Sequence, residues 1–251
     1  MRTNTAKRRM LAGEPALGLV LEAGSSLVAT ALARTGFEFL LVDNQHGDWD
    51  DQRSLGAFQG ISLGTAVPMA RVRGNDFYAI GRLLDRGALG IVVPMVNSAA
   101  EAQAAAFAMR YPPRGGRSIG ATLAGFHGPD YAGWIDEEVF LAVQIETAQG
   151  LACAEEILAV DGVDGCWVGP SDLGRSLGID LRTPEGAAAH EKAILTVRDA
   201  CRRAGKIPGL YCFDLPDAQR WLRHGFQFVT IGTDTDLLVQ GSAGILRELG
   251  H

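Results

Sequence analysis

Four segments of this chain repeat one phrase: a helical pattern, a Gly, then a short apolar run that breaks into polar or Gly/Pro residues. They are "ARTGFEFLLVDNQHG", "LDRGALGIVVPMVN", "AVDGVDGCWVGPSD" and "LRHGFQFVTIGTD". Gly36, Gly87, Gly162 and Gly225 stand where a helix end needs a left-handed residue, and unbroken apolar runs suit strands buried on both faces. Each phrase therefore reads as a helix-to-parallel-strand joint. Extending the pattern predicts strands near 17–21, 38–43, 65–72, 89–94, 140–146, 164–169, 207–212 and 227–232. Helical patterns between them include 26–35, 75–86, 98–109, 185–204 and 234–249, and a short helix over 5–13 leads into the first strand. Eight alternating units without a linker point to a single (β/α)8 barrel spanning 1–251, with an open doubly wound sheet as the alternative.

Composition narrows the partners. With 47% hydrophobic and 21% charged residues, the 251-residue chain is built like an ordinary globular protein. A net charge of −6 gives no long-range attraction for nucleic acid or anionic lipid, and "KRR" at 7–9 is short for a basic patch. No apolar run approaches the roughly 18–20 residues that span a bilayer, and the amino terminus lacks the apolar middle of a secretory signal. A cytoplasmic location with neither nucleic acid nor membrane as partner is expected. The four cysteines form no CxxC pair and read as reduced thiols, Cys166 lying in an apolar run and expected in the core.

In such a barrel the active site forms at the C-terminal ends of the strands. The second strand ends in Asp43, Asn44, Gln45 and His46, the third in Arg71 and Arg73, the fifth in Gln144 and Glu146, and the sixth in Gly169, Pro170, Ser171 and Asp172. Glu146 and Asp172 close adjacent strands, so two hard oxygen ligands with room for water and substrate fit an open site for Mg²⁺, Mn²⁺ or a similar ion. The competing reading makes Asp172 a helix cap and Glu146 a surface turn residue. Arg71 and Arg73 share parity and compete to hold a 2-oxo-acid oxygen. "GPSDLGRSLG" offers backbone N–H groups to a small carboxylate and lacks the lysine of a nucleotide-phosphate loop. His46 alone is a turn histidine or a base; Asp43 and Asp85 are the carboxylates expected to orient it. The connection 110–138, rich in Gly, Pro and aromatics, is expected over the barrel mouth.

Taken in order, "FEFLLVDNQHG", "MARVRGND", "LLDRGALGIVVPMV", "RYPPRGGRSIG", "VQIETAQGL" and "DGCWVGPSDLGRSLG" resemble the HpcH/HpaI family of metal-dependent class II pyruvate aldolases, across nearly the whole chain. The resemblance implies a barrel of the phosphoenolpyruvate/pyruvate type and a divalent cation, Mg²⁺, Mn²⁺ or Co²⁺, on Glu146 and Asp172. It implies Arg71 rather than Arg73 on the 2-oxo acid, with Gln144, Gly169, Ser171 and Asp172 about the substrate. His46 matches the family's catalytic base, and Asp43 and Asp85 match its supporting acids. It further implies a homo-hexamer with C-terminal helices exchanged between subunits. The partners so implied are a small 2-oxo acid, pyruvate or hydroxypyruvate, and an aldehyde joined to it or released from a 4-hydroxy-2-oxo acid.

This chain departs at Gln45, where many members carry Glu, which removes a negative charge beside His46. Within the 120–134 segment Phe126, His127, Asp130, Tyr131 and Trp134 match no family pattern and are expected to set aldehyde specificity. Two other functions remain in view. An acyl-coenzyme A lyase of the citrate lyase β type would need cations for the coenzyme's phosphates, for which Arg114, Arg117 and the amino-terminal cluster are the candidates. A non-catalytic 2-oxo-acid-binding protein would need the pocket without turnover.

Overall fold

The computed structural model describes residues 3–120 and 127–250. Its strands are β1 (Ala16–Leu21), β2 (Phe39–Asp43), β3 (Val67–Arg71), β4 (Gly90–Val93), β5 (Phe140–Val143), β6 (Gly165–Cys166), β7 (Gly209–Cys212) and β8 (Phe228–Thr233). All eight expected strands form, every pairing is parallel, and the order runs β6-β5-β4-β3-β2-β1-β8-β7. Parallel bridges Gly165↔Ile207 and Val168↔Leu210 bring the two ends of the sheet together. The fold is a (β/α)8 TIM barrel, and the open-sheet alternative falls away.

The helices are α1 (Thr5–Leu11), α2 (Ser26–Leu32), α3 (Asp51–Ile61), α4 (Phe77–Asp85), α5 (Ala99–Met109), α6 (Tyr131–Glu138), α7 (Ala148–Ala152), α8 (Ala154–Leu158), α9 (Pro170–Ser176), α10 (Pro184–Arg203), α11 (Leu215–Arg223) and α12 (Asp234–Glu248). Gly36, Gly87, Gly162 and Gly225 all hold positive φ, as the joint pattern requires. Helix α3 is not among the expected patterns because two interior glycines weaken its propensity. Packing explains one of them: a Cβ at Gly60 would lie 2.1 Å from Thr30 Oγ1 of α2.

Alternation along each strand sorts the barrel interior into layers. Register pairs Gly18 with Phe39, so these two face the same side, and Phe39 stacks on Phe228 at 4.6 Å while Phe140 lies 5.0 Å from Phe228. This aromatic layer fills the N-terminal end. A Cβ on Gly18 would enter the Phe39 ring, and one on Gly209 would meet the carbonyl oxygens of Cys166 and Phe228 at 2.6 Å each. Counting up by two from Gly18, Phe39, Phe140 and Gly209 reaches Glu22, Asp43, Gln144 with Glu146, and Tyr211. The same tube is therefore oily at one end and charged at the other.

Helix α1 closes the oily end. The Asn4 side chain caps it through Lys7 N–H and donates to Leu89 O at 2.9 Å and Glu138 O at 3.0 Å. Lys7 Nζ reaches Val139 O at 2.7 Å and pairs with Asp164 at 3.1 Å.

The described part of 110–138 also lies at this end, not over the mouth as expected. Arg110 donates to Gly162 O at 2.7 Å just before β6, Tyr111 N–H reaches Asp136, and Glu138 accepts from Asn4 N–H at 2.6 Å. Direction is the reason: the segment links the end of α5 to the start of β5, and in a parallel barrel such a return belongs at the N-terminal ends of the strands. Its last part is helix α6. His127, beside Gly87, and Tyr131 and Trp134, in edge-on contact at 5.5 Å, are likewise remote from the charged end within this chain, so the expectation that they set aldehyde specificity is not met by one chain alone. Phe126 lies outside the described residues.

The glycine spacing in β7 yields a stability prediction. Gly209→Ala is expected to cost about 2–3 kcal/mol, since its methyl group would press on two backbone carbonyls that cannot swing aside. Urea unfolding followed by circular dichroism measures it, and a loss below roughly 0.5 kcal/mol would contradict close β6–β7–β8 packing.

Candidate active site

Asp43 and Arg71 are register partners at the ends of β2 and β3, which sets their side chains next to each other. Arg71 Nε donates to Asp43 Oδ1 at 2.8 Å and Nη2 donates to Oδ2, a bidentate pair. Both residues are buried, and the Arg71 guanidinium lies 5.2 Å from the centre of the Trp167 ring. The carboxylate is doubly used, for its Oδ1 also accepts the backbone N–H groups of Gln45 at 3.0 Å and His46 at 3.4 Å. Asp43 thus braces the arginine and the backbone of the His46 turn; the expected contact with the imidazole is not made. Arg73 is directed elsewhere, to Asn44 O at 3.2 Å and Trp49 O at 2.9 Å, and is not among the residues that line the cavity with Arg71.

Glu146 lies just beyond β5 and is 2% exposed. Its Oε1 accepts Met95 N–H at 2.9 Å and its Oε2 accepts from Gln144 Nε2. Met95 holds φ 57°, an uncommon conformation for a side-chain-bearing residue. Burial pushes the Glu146 carboxyl up to about 7, and the negative charge of Asp172 adds to the effect. Asp172 sits in the first turn of α9, whose preceding Gly169 makes no side-chain cap. A Cβ at Gly169 would lie 2.5 Å from Glu146 Oε2 and 2.8 Å from Gln144 Nε2, so only glycine fits beside the carboxylate.

These groups fit a hard divalent cation. Glu146 is a desolvated carboxylate without a cationic partner of its own, and a second carboxylate lies close enough to raise its proton affinity. Gln144 Oε1 is a further buried oxygen without a hydrogen bond among the described residues. No set of three His, Cys, Asp or Glu side chains converges as a metal site among the described residues, so the pair would leave positions for water and substrate oxygens.

A cavity of ≈190 Å³ joins the parts. His46, Arg71 and Gln144 line it together with Gly169, Ser171 and Asp172. His46 is exposed toward it, and its imidazole makes no hydrogen bond among the described residues. Gln45 does not line the cavity, and its buried Oε1 has no hydrogen bond among the described residues.

Asp85 is not in this cluster. It ends α4 at the opposite end of the barrel and pairs with Arg117 at 2.8 Å, so within this chain it does not orient His46. Its position on a helix, outside every strand end, was a signal against that role. Four lining residues were missed by sequence reasoning: Val20, Glu22, Trp167 and Tyr211. Glu22 follows the apolar run "LGLVL" as Glu146 follows "LAVQI", so the rule that found one could have found the other. Trp167 and Tyr211 give no such signal because aromatic residues are ordinary in strands.

A family model described as HpcH/HpaI aldolase/citrate lyase matches residues 17–241. A curated 4-hydroxy-2-oxo-heptane-1,7-dioate aldolase of Salmonella paratyphi C (strain RKS4594) is 38% identical over 253 residues, covering 98% of this chain and 95% of the relative. Among solved structures, an HpcH/HpaI aldolase/citrate lyase family protein from Burkholderia cenocepacia J2315 is 30% identical with TM-score 0.92, covering 99% of this chain and 100% of that one. An HpcH/HpaI aldolase from Desulfitobacterium hafniense DCB-2 is 25% identical with TM-score 0.88, over 97% and 95%.

The raised Glu146 carboxyl gives a signed prediction. Its proton is held more tightly in the folded than in the unfolded chain, so the cation-free protein loses stability as pH rises from about 4.5 to about 7. Glu146→Gln is expected to flatten that slope and raise the melting temperature at pH 8 by about 5 °C, while removing any stabilisation by added Mg²⁺ or Mn²⁺. Differential scanning calorimetry across pH, with and without the cations, tests all three points.

Proposed function

We propose that this chain, a carbon–carbon lyase that belongs to the HpcH/HpaI aldolase/citrate lyase family, is a divalent-metal-dependent aldolase. It reversibly cleaves 4-hydroxy-2-oxo acids into pyruvate or hydroxypyruvate and an aldehyde. The observation that carries this reading is the meeting of Arg71, His46 and Asp172 around one cavity, with the Glu146 carboxylate packed against Gly169 of the same lining.

Glu146 and Asp172 would hold Mg²⁺, Mn²⁺ or Co²⁺. Such an ion, when bound, supplies Lewis-acid stabilisation of charge developing on the 2-oxo oxygen. The chain's own groups do the rest. Arg71, held rigid by Asp43, presents its remaining N–H groups to the same oxygen and requires no rearrangement as charge develops there. The first-turn N–H groups of Ser171 and Asp172 have no partner within α9 and suit the substrate carboxylate. His46 moves the proton, taking it from C3 of the 2-oxo acid or from the 4-hydroxyl group in the reverse direction. No lysine lines the cavity, and Lys206 is tied to Val163 O at 2.7 Å near the start of β6, which favours enolate over Schiff-base chemistry.

The acyl-coenzyme A alternative loses support from charge pairing. Arg114 pairs with Glu137, Arg117 with Asp85, Arg8 with Glu138 and Arg9 with Glu14, all at the end away from the cavity. Assembly belongs to the same proposal: α12 leaves Leu238, Val239, Ile245 and Leu246 at least half exposed, an apolar surface suited to another subunit in a hexamer.

Pyruvate methyl-proton exchange in D₂O, followed by NMR with each of the three cations, tests the reading. The wild type is expected to exchange only with a cation present, and His46→Ala and Arg71→Lys each to slow exchange about 10²–10³-fold. Tight pyruvate binding without exchange would instead favour the binding protein, and neither binding nor exchange would overturn both.

A further inference from the structure

One carboxylate in the cavity has no task in that chemistry. Glu22 follows β1 at an inward-facing position, is half-buried, and lines the cavity with Val20, His46, Arg71 and Tyr211. Its backbone is fixed on both sides. The N–H donates to Asp234 Oδ1 at 2.8 Å, the carbonyl accepts Asp48 N–H at 2.9 Å, and the neighbouring Leu21 carbonyl accepts Trp49 Nε1 at 2.7 Å. The carboxylate itself forms no hydrogen bond or ion pair among the described residues.

Its electrical surroundings are lopsided. Asp43, Asp234 and Asp236 act on Glu22 as like charges, and Arg71, already paired with Asp43, is the one cation that opposes them. Burial and these acids raise the Glu22 carboxyl above its ordinary value, and Glu22 in turn contributes to raising the Tyr211 phenol to about 12. With the 2-oxo acid seated between Arg71 and the Ser171–Asp172 turn, the aldehyde carbon must approach beside His46. Its substituent then points to the arc formed by Val20, Glu22 and Tyr211.

We infer that Glu22 selects the aldehyde, accepting a hydrogen bond from a hydroxyl on a neutral hydroxyaldehyde and repelling an aldehyde that carries a carboxylate. This rests on the aldolase reading above. A 1,7-dioate, the compound in the Salmonella relative's name, carries its second carboxylate at the far end, where this chain presents acid and, among the described residues that line the cavity, no unpaired arginine or lysine. A neutral, hydroxylated substituent meets an acceptor that has no other partner.

The experiment compares kcat/KM for addition to glycolaldehyde and to glyoxylate, which differ by hydroxymethyl against carboxylate, in the wild type, Glu22→Gln and Glu22→Ala. Dividing one by the other cancels any change in the shared pyruvate steps. The glycolaldehyde-to-glyoxylate ratio is expected to fall about tenfold in each variant, the scale of one charge interaction in a partly screened site. A ratio within twofold of wild type in either variant that melts cooperatively overturns the inference. So does a wild type that uses succinate semialdehyde better than butanal, a comparison of equal chain length needing no variant. Wild-type pyruvate exchange is the separate control: its absence refutes the aldolase reading, whereas exchange with an unmoved ratio refutes the role of Glu22 alone.

Discussion

Charge is buried at one end of an apolar tube, and the other features answer that constraint. Strand alternation sends every second residue inward, so the same period that stacks Phe39 on Phe228 below delivers Asp43 and Arg71 above. A lone buried guanidinium or carboxylate would be ruinous there; as a bidentate pair each is the other's counter-ion. The pairing also fixes the arginine before any substrate arrives. Side-chain entropy that binding would otherwise cost is already spent in folding.

Glu146 shows the same constraint left partly unresolved. It receives two hydrogen bonds and no cation, so burial raises its proton affinity to about 7. A site that holds charge in this unfavourable condition is less stable than the fold alone could be, which is the usual cost of a binding-competent centre. The oily end shows the opposite economy: Lys7 and Asn4 are engaged with backbone carbonyls and Asp164.

How much was legible in the sequence depended on whether a residue interrupted a pattern. Glu146, Asp172 and Arg71 break apolar strands at the right end, and the four joint glycines mark where each strand begins; barrel and site core followed from these. Glu22 interrupts β1 in the same way, yet the motif-rich ends of β2 and β6 drew the attention. Asp85 does not meet His46 within one chain; family resemblance aligns positions along a chain without saying which end of a helix faces which site. Composition does not place the described part of 110–138; the direction of its connection, helix end to strand start, puts it at the far end. The close approaches that require Gly60 and Gly209 involve partners distant in sequence, and no local pattern carries them.

Gly169 carries a consequence of its own. Its missing side chain leaves the space into which the Glu146 carboxylate packs, and a single added carbon would sit 2.5 Å from the oxygen. Nothing in the aromatic layer or the strand pairing depends on that space. A methyl group there would press on Glu146 and Gln144 while leaving the Arg71–Asp43 pair and the aromatic layer untouched. On the proposed aldolase reading, one carbon atom at this position separates a scaffold that turns over a 2-oxo acid from one that only captures it.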